Sequence, residues 1–97
     1  MIDRIQQLTE RRNQLTASLT TAQTAYQTAM GRVEQARQQL EEPAVLLDEQ
    51  ALQALEERVA HAEQVQQECV QRVEGLQLEQ VRMETRISLL RKQAVSE

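Results

Sequence analysis

The sequence contains no tryptophan and no phenylalanine, and its one aromatic residue is Tyr26. Only two glycines and one proline punctuate its 97 residues. Aromatic rings normally supply much of the buried area of a globular core, and a chain this short buries a smaller fraction of its surface than a larger domain does. Sandwiches, barrels and doubly wound α/β folds also need many turns and β-formers. These absences argue against all three architectures.

Residues that carry catalysis or bind metals are also scarce. His61 is the only histidine, and with Glu57 one helical turn before it there are still too few ligands for a metal site. Cys69 lies about 80° from His61 around a helix, so the two cannot form a nucleophile–base pair within one chain. A pair of thin helices, which the residue spacing described below predicts, encloses no cavity that could raise a carboxylate pKa, so we expect no enzyme, no cofactor and no metal.

Long apolar runs and an excess of positive charge are missing as well. The formal charge is −4, which does not suggest a general nucleic-acid binder, and no window approaches the roughly 18 apolar residues of a membrane span. The first residues do not resemble a cleavable secretion signal, and the lone cysteine needs no oxidising compartment. We expect a cytoplasmic protein. Export by a route that requires no signal peptide is the alternative.

Good helix formers fill the chain instead. Glutamine is the commonest residue, with seventeen copies, followed by Glu, Leu, Ala and Arg, which is typical of long helices and coiled coils. Pro43 cannot continue a helix, and Asp48 is a good N-cap for the next one, with Leu47 and Leu52 placed to form a hydrophobic staple around it. The sequence predicts one all-α domain over 1–97, with helix 1 at about 3–41, a turn at about 42–48 and helix 2 at about 49–95.

Both helices carry a seam of mostly apolar residues that recur every three or four positions, which is typical of a coiled coil. Arg12, Gln66 and Gln80 are polar seam positions of the kind that can set the register. In helix 1 the seam is Met1, Ile5, Leu8, Arg12, Leu15, Leu19, Ala22, Tyr26, Ala29, Val33, Ala36 and Leu40. In helix 2 it is Leu52, Leu55, Val59, Ala62, Gln66, Cys69, Val73, Leu76, Gln80, Met83, Ile87, Leu90 and Ala94.

Two seams of similar length joined by a short turn predict an antiparallel coiled-coil hairpin. Pairing residues whose numbers sum to 95 places Tyr26 beside Cys69 and uses the whole length of both seams. Pairing to a sum of 88 shortens the turn but leaves the last turns of helix 2 unpaired. A single continuous helix that dimerises is the third possibility.

Helix 2 also has apolar residues outside its seam, at Val70, Leu78, Val81 and Leu89. Leu78 and Leu89 each follow a seam residue by two positions, which turns them to nearly the opposite face. A two-helix hairpin buries little surface and commonly gains stability from association. We expect these residues to contact a second copy, forming a helical bundle, or another helical protein. Scattered surface leucines are the alternative interpretation.

Charge is segregated along the chain. The net charge is +2 over residues 1–40, −8 over 41–79 and +2 over 80–97. In a hairpin this gives an acidic turn end and a mildly basic open end, which could orient a partner or stagger self-assembly. The same imbalance is also expected by chance on solvated helix faces. The basic residues near the two termini are Arg4, Arg11, Arg12, Arg82, Arg86, Arg91 and Lys92.

The turn Glu42-Pro43-Ala44-Val45-Leu46-Leu47 resembles that of type III secretion needle subunits, without the pattern that surrounds it there. The length and two-helix outline resemble the hairpin proteins of type VII secretion, although their Trp-x-Gly turn is absent, and the generally longer stalk proteins of type III export. These resemblances imply a small chaperone or a component of a secretion machine. Our first expectation is a non-enzymatic scaffold that binds by helix packing, and the third is an accessory nucleic-acid protein.

Overall fold

A computed structural model describes residues 2–96 of the chain, and the side chains of residues 3–95. This range forms three helices and no strand: α1 (Ile2–Leu40), α2 (Pro43–Leu46) and α3 (Glu49–Ser96). The predicted all-α class is confirmed. The bounds of the two long helices differ from the predicted ones by one residue at most.

The end of α1 is set by the proline that follows it. The N–H groups of Glu41 and Glu42 donate to the carbonyls of Gln38 and Gln39, at 3.1 and 3.3 Å, which closes the last turn tightly. Glu42 then has an extended backbone, with φ −67° and ψ 130°, as expected for a residue before proline. Pro43 occupies the first turn of α2, where its missing N–H is tolerated. This four-residue helix is too short for a periodic pattern to predict.

The start of α3 confirms the predicted cap. Oδ1 of Asp48 accepts from the backbone N–H groups of Gln50 at 3.1 Å and Ala51 at 3.3 Å, so it satisfies two donors that the helix cannot pair internally. The prediction of a hydrophobic staple between Leu47 and Leu52 is wrong. Leu47, the residue after α2, has helical backbone angles (φ −87°, ψ −9°) and is 88% exposed, so it is not buried against Leu52 as a staple requires.

The chain divides into two compact units, and each combines a segment of α1 with a segment of α3. In unit 1, which joins α1 up to Ala22 with α3 from Arg72 onward, Nε2 of Gln80 donates to Oγ1 of Thr16 at 3.2 Å. In unit 2, which comprises Gln23–Gln71, Arg37 forms an ion pair with Glu63 at 3.3 Å. The two long helices thus contact each other within each unit.

The core within the described residues is narrow. Eight apolar residues are buried. Three of them are alanines, and none of them is aromatic. No polar or charged residue of this range is buried, so the fully buried side chains are all apolar. The buried residues are Leu8, Leu19, Ala22, Ala29, Val33, Ala36, Val59 and Ile87.

Neither long helix, over the residues the structure describes, has a stretch that combines the length and apolar character of a membrane span.

Candidate interaction surfaces

The predicted seam positions are the buried side of each long helix. Every one of them from Ile5 to Leu90 is buried or half-buried, whereas Ala94 is exposed and Met1 lies outside the described residues. Burial therefore follows the three–four spacing of the sequence. In unit 1 the larger apolar members are Ile5, Leu8, Leu15, Leu19, Val73, Leu76, Met83, Ile87 and Leu90. In unit 2 they are Tyr26, Val33, Leu40, Leu52, Leu55, Val59 and Cys69.

One polar seam residue has a defined partner on the other helix. The Gln80 amide donates to the Thr16 hydroxyl at 3.2 Å, and that hydroxyl donates to the Arg12 carbonyl at 2.9 Å. The Gln80 residue is half-buried, but this hydrogen bond is exposed to water, so its net contribution to stability is modest. This arrangement ties one turn of α3 to one turn of α1 in unit 1, as expected of a seam residue that sets register.

Unit 1 also presents large apolar side chains to solvent. Leu78, Val81 and Leu89 are 51%, 59% and 56% exposed. Leu78 and Leu89 are turned about 200° from the seam residues Leu76 and Ile87, which places them on the outer face of α3. We call Leu78, Val81 and Leu89 the outer apolar face. Val70, the fourth residue of the predicted set, is half-buried and belongs to unit 2.

Three further apolar residues are exposed that sequence reasoning did not select: Met30, Leu46 and Val95. Met30 and Val95 each follow a seam residue, Ala29 and Ala94, by one position. Their place outside the three–four spacing was the sequence signal for their exposure. Leu46 lies in α2, whose helical turn was not predicted. None of the three belongs to the outer apolar face as defined above.

A partly open hollow of about 390 Å³ lies between α1 and α3 in unit 2. The hollow is only partly enclosed, and the expectation that two helices enclose no cavity able to raise a carboxylate pKa stays a prediction. Alanines at 29, 36 and 62 face this space, and their side chains are too small to fill the gap between the helix backbones. No carboxylate lines it. The lining residues are Ala29, Arg32, Gln35, Ala36, Gln39, Arg58, His61, Ala62 and Val65.

A second, more open hollow of about 690 Å³ lies in unit 1 and brings together three residues of the predicted basic patch. Arg12 from α1 lines this hollow together with Arg91 and Lys92 from α3, and Glu84 is the acidic residue of the described lining. Ile87, Ser88 and Val95 complete the lining. No other residue of the predicted patch lines this hollow.

His61 and Cys69 occupy different surfaces of unit 2. His61 is exposed on the rim of the unit 2 hollow, and Cys69 is a free, half-buried thiol on the seam of the same unit. Across the described residues, no three His, Cys, Asp or Glu side chains come together in a way that could hold a metal ion.

No protein-family model, no curated protein and no solved structure matches this chain. The resemblances to secretion-system hairpins therefore stay predictions.

Proposed function

We propose that this chain is a non-enzymatic, coiled-coil interaction protein, in which α1 and α3 form an antiparallel hairpin and the outer apolar face packs against a second copy. Helix packing of this kind buries an apolar stripe without requiring a pocket. Binding, rather than catalysis, is the activity. The exposure of Leu78, Val81 and Leu89 on one face of one helix is the observation that carries the proposal.

Two contacts support antiparallel pairing in the register that sums to 95. In that register Thr16 faces residue 79, one position from its partner Gln80. Arg37 faces residue 58, and Glu63 lies about 7.5 Å further along α3, within reach of two long side chains. In the register that sums to 88, Gln80 would lie about 12 Å from the level of Thr16. A threonine and a glutamine cannot span that distance.

The outer apolar face suits a second copy because the charges around it have both signs. Glu79 and Arg82 flank Leu78 and Val81, and Glu84 and Arg86 follow along the same helix. A two-fold contact brings one patch against itself, so an interspersed rim allows opposite charges to pair across it. A rim of one sign would instead repel its own copy.

Light scattering on the purified chain tests this proposal. We expect an oligomer for the natural sequence and a monomer for the double variant Leu78→Glu/Leu89→Glu, because two buried carboxylates at the contact would be left unpaired. The helix content, measured by circular dichroism, should not change, since both leucines lie outside the seam.

A matched control is Gln64→Glu/Gln67→Glu, which adds the same charge at exposed positions of α3 in unit 2. This variant should keep the oligomer. A natural chain that is a strict monomer would contradict the proposal, and loss of helicity in the leucine variant would mean that Leu78 and Leu89 belong to the hairpin core.

The unit 1 hollow favours a second candidate, an accessory nucleic-acid protein, because it gathers Arg12, Arg91 and Lys92. Glu84 reduces that charge, and no aromatic side chain of the hollow can stack on a base. Binding of a DNA or RNA oligonucleotide that weakens steeply with salt would support this candidate. Salt-insensitive self-association supports the first proposal.

A further inference from the structure

Charge in unit 2 is distributed unevenly around the helices. Residues 23–71 contain three arginines and nine carboxylates, so the unit as a whole is strongly acidic. Arg32 and Arg58 nevertheless line the hollow together with His61, and no carboxylate lines it. The third arginine, Arg37, is paired with Glu63 outside the hollow. The hollow is therefore a basic groove in an acidic unit.

The floor of this groove is apolar and made of small side chains. Ala29 and Ala36 are buried, and Ala62 and Val65 are half-buried. Along α1 the lining runs from Ala29 to Gln39, which corresponds to about 15 Å, or nearly three helical turns. Small residues allow the backbone of another helix to approach closely. A groove about 15 Å long that is lined by two helices and partly open to solvent fits a rod-shaped occupant better than an enclosed small molecule.

We propose that this basic groove binds an acidic amphipathic helix of another protein. Alanine or leucine side chains of that helix would lie on the alanine floor, and its glutamates or aspartates would face Arg32, Arg58 and His61. Arginine is well suited to this contact because its guanidinium forms paired hydrogen bonds with a carboxylate.

A second copy of this chain does not fit the groove by two-fold packing. Such a contact brings the same patch against itself, so the groove arginines of one copy would face those of the other. Like charges across an interface are strongly unfavourable. This surface is therefore separate from the outer apolar face in unit 1, which we assign to self-association.

The test uses the full chain and a fluorescent synthetic peptide of about 20 residues, long enough to be helical on binding. The peptide carries a leucine and alanine stripe flanked by glutamates, and a second peptide has lysine in place of every glutamate. By fluorescence anisotropy we expect the glutamate peptide to bind and the lysine peptide not to bind. The variant Arg32→Glu/Arg58→Glu should weaken binding of the glutamate peptide by about tenfold or more.

The matched control is Arg4→Glu/Arg11→Glu, which changes the net charge equally at exposed positions of α1 in unit 1, outside the groove and outside the rim of the outer apolar face, and should change the affinity by less than about twofold. Equal loss in both variants, equal binding of both peptides, or no binding of either peptide would overturn the proposal. So would dissociation of the oligomer by Arg32→Glu/Arg58→Glu, because the groove would then hold a second copy. Failure of the self-association proposal is detected separately, through the Leu78 and Leu89 variant.

Discussion

At the scale of single residues, small side chains decide how closely the helices can be approached. Ala29, Ala36 and Ala62 occupy seam positions that a leucine would fill in a typical coiled coil, and the hollow in unit 2 forms beside them. Each alanine is a good helix former, so the helices are continuous while the space between them is not filled. At these positions, therefore, the same residue favours the helical backbone and leaves the space between the helices unfilled.

A substitution at Gly75 tests the stability of the helix without changing the packing of the interior. Gly75 lies in the interior of α3. A side-chain carbon added there would meet no neighbouring atom within 4 Å. No described residue has a positive φ, so the backbone at Gly75 accepts an alanine. We expect Gly75→Ala to raise the free energy of unfolding by about 0.5–1 kcal/mol, because alanine loses less backbone entropy in a helix.

Chemical denaturation with urea, followed by circular dichroism, measures this change. Gly31→Ala is the matched variant in α1, where the added carbon also meets open space, and it should stabilise by a similar amount. A decrease in stability at either position would show that the glycine is in contact with a second chain in solution.

At the scale of the helices, the connection between α1 and α3 depends on a few backbone requirements. Pro43 ends α1 and begins α2, and Asp48 begins α3. The proline and the cap were predictable because each acts through its own covalent structure and its nearest neighbours. The helical turn of α2 and the exposed side chain of Leu47 were not, since both depend on the path that the chain takes between the long helices.

The cap predicts the effect of a substitution at Asp48. Asp48→Ala should lower the free energy of unfolding by about 1 kcal/mol, because the amides of Gln50 and Ala51 lose their acceptor. Asp48→Asn keeps an oxygen acceptor and should lose much less. If the asparagine variant were as unstable as the alanine variant, the charge of Asp48 near the helix N-terminus would be the important contribution rather than its hydrogen bonds. Thermal or urea denaturation of the three proteins distinguishes these outcomes.

At the scale of the whole molecule, the register in which α1 pairs with α3 can be measured in solution. The native Cys69 makes this experiment simple, because it is the only cysteine. In the register that sums to 95 it faces Tyr26, and in the register that sums to 88 it faces Leu19. A second cysteine at one of these positions reports which register is present.

We expect Tyr26→Cys to form an intramolecular disulfide under mild oxidation, because facing seam positions approach the distance that a disulfide requires. Leu19→Cys is the matched variant and should keep two free thiols, because Leu19 lies about 10 Å along the helix from position 26. Thiol titration and a non-reducing gel at low protein concentration measure both results. The opposite pattern would favour the register that sums to 88, and disulfides only between chains would contradict the hairpin.

The buried side of both helices was predictable from residue spacing, since each turn repeats after 3.6 residues and burial in a helix pair follows that period. The outer apolar face was predictable in part for the same reason. Leu78, Val81 and Leu89 are exposed as the spacing indicates, whereas Val70, the residue closest to the seam in angle, is half-buried.

The sequence alone establishes that the chain is helical, where its long helices end and which side of each is apolar, because these properties depend on residues within one or two turns of each other. Only the tertiary structure places Arg32 beside Arg58 and His61 over an alanine floor. Those residues come from two helices, and the segment that contains them is acidic overall, so linear charge patterning predicted the opposite sign. A groove is formed by side chains that are distant in sequence, and its charge is determined by which of them the packing brings together.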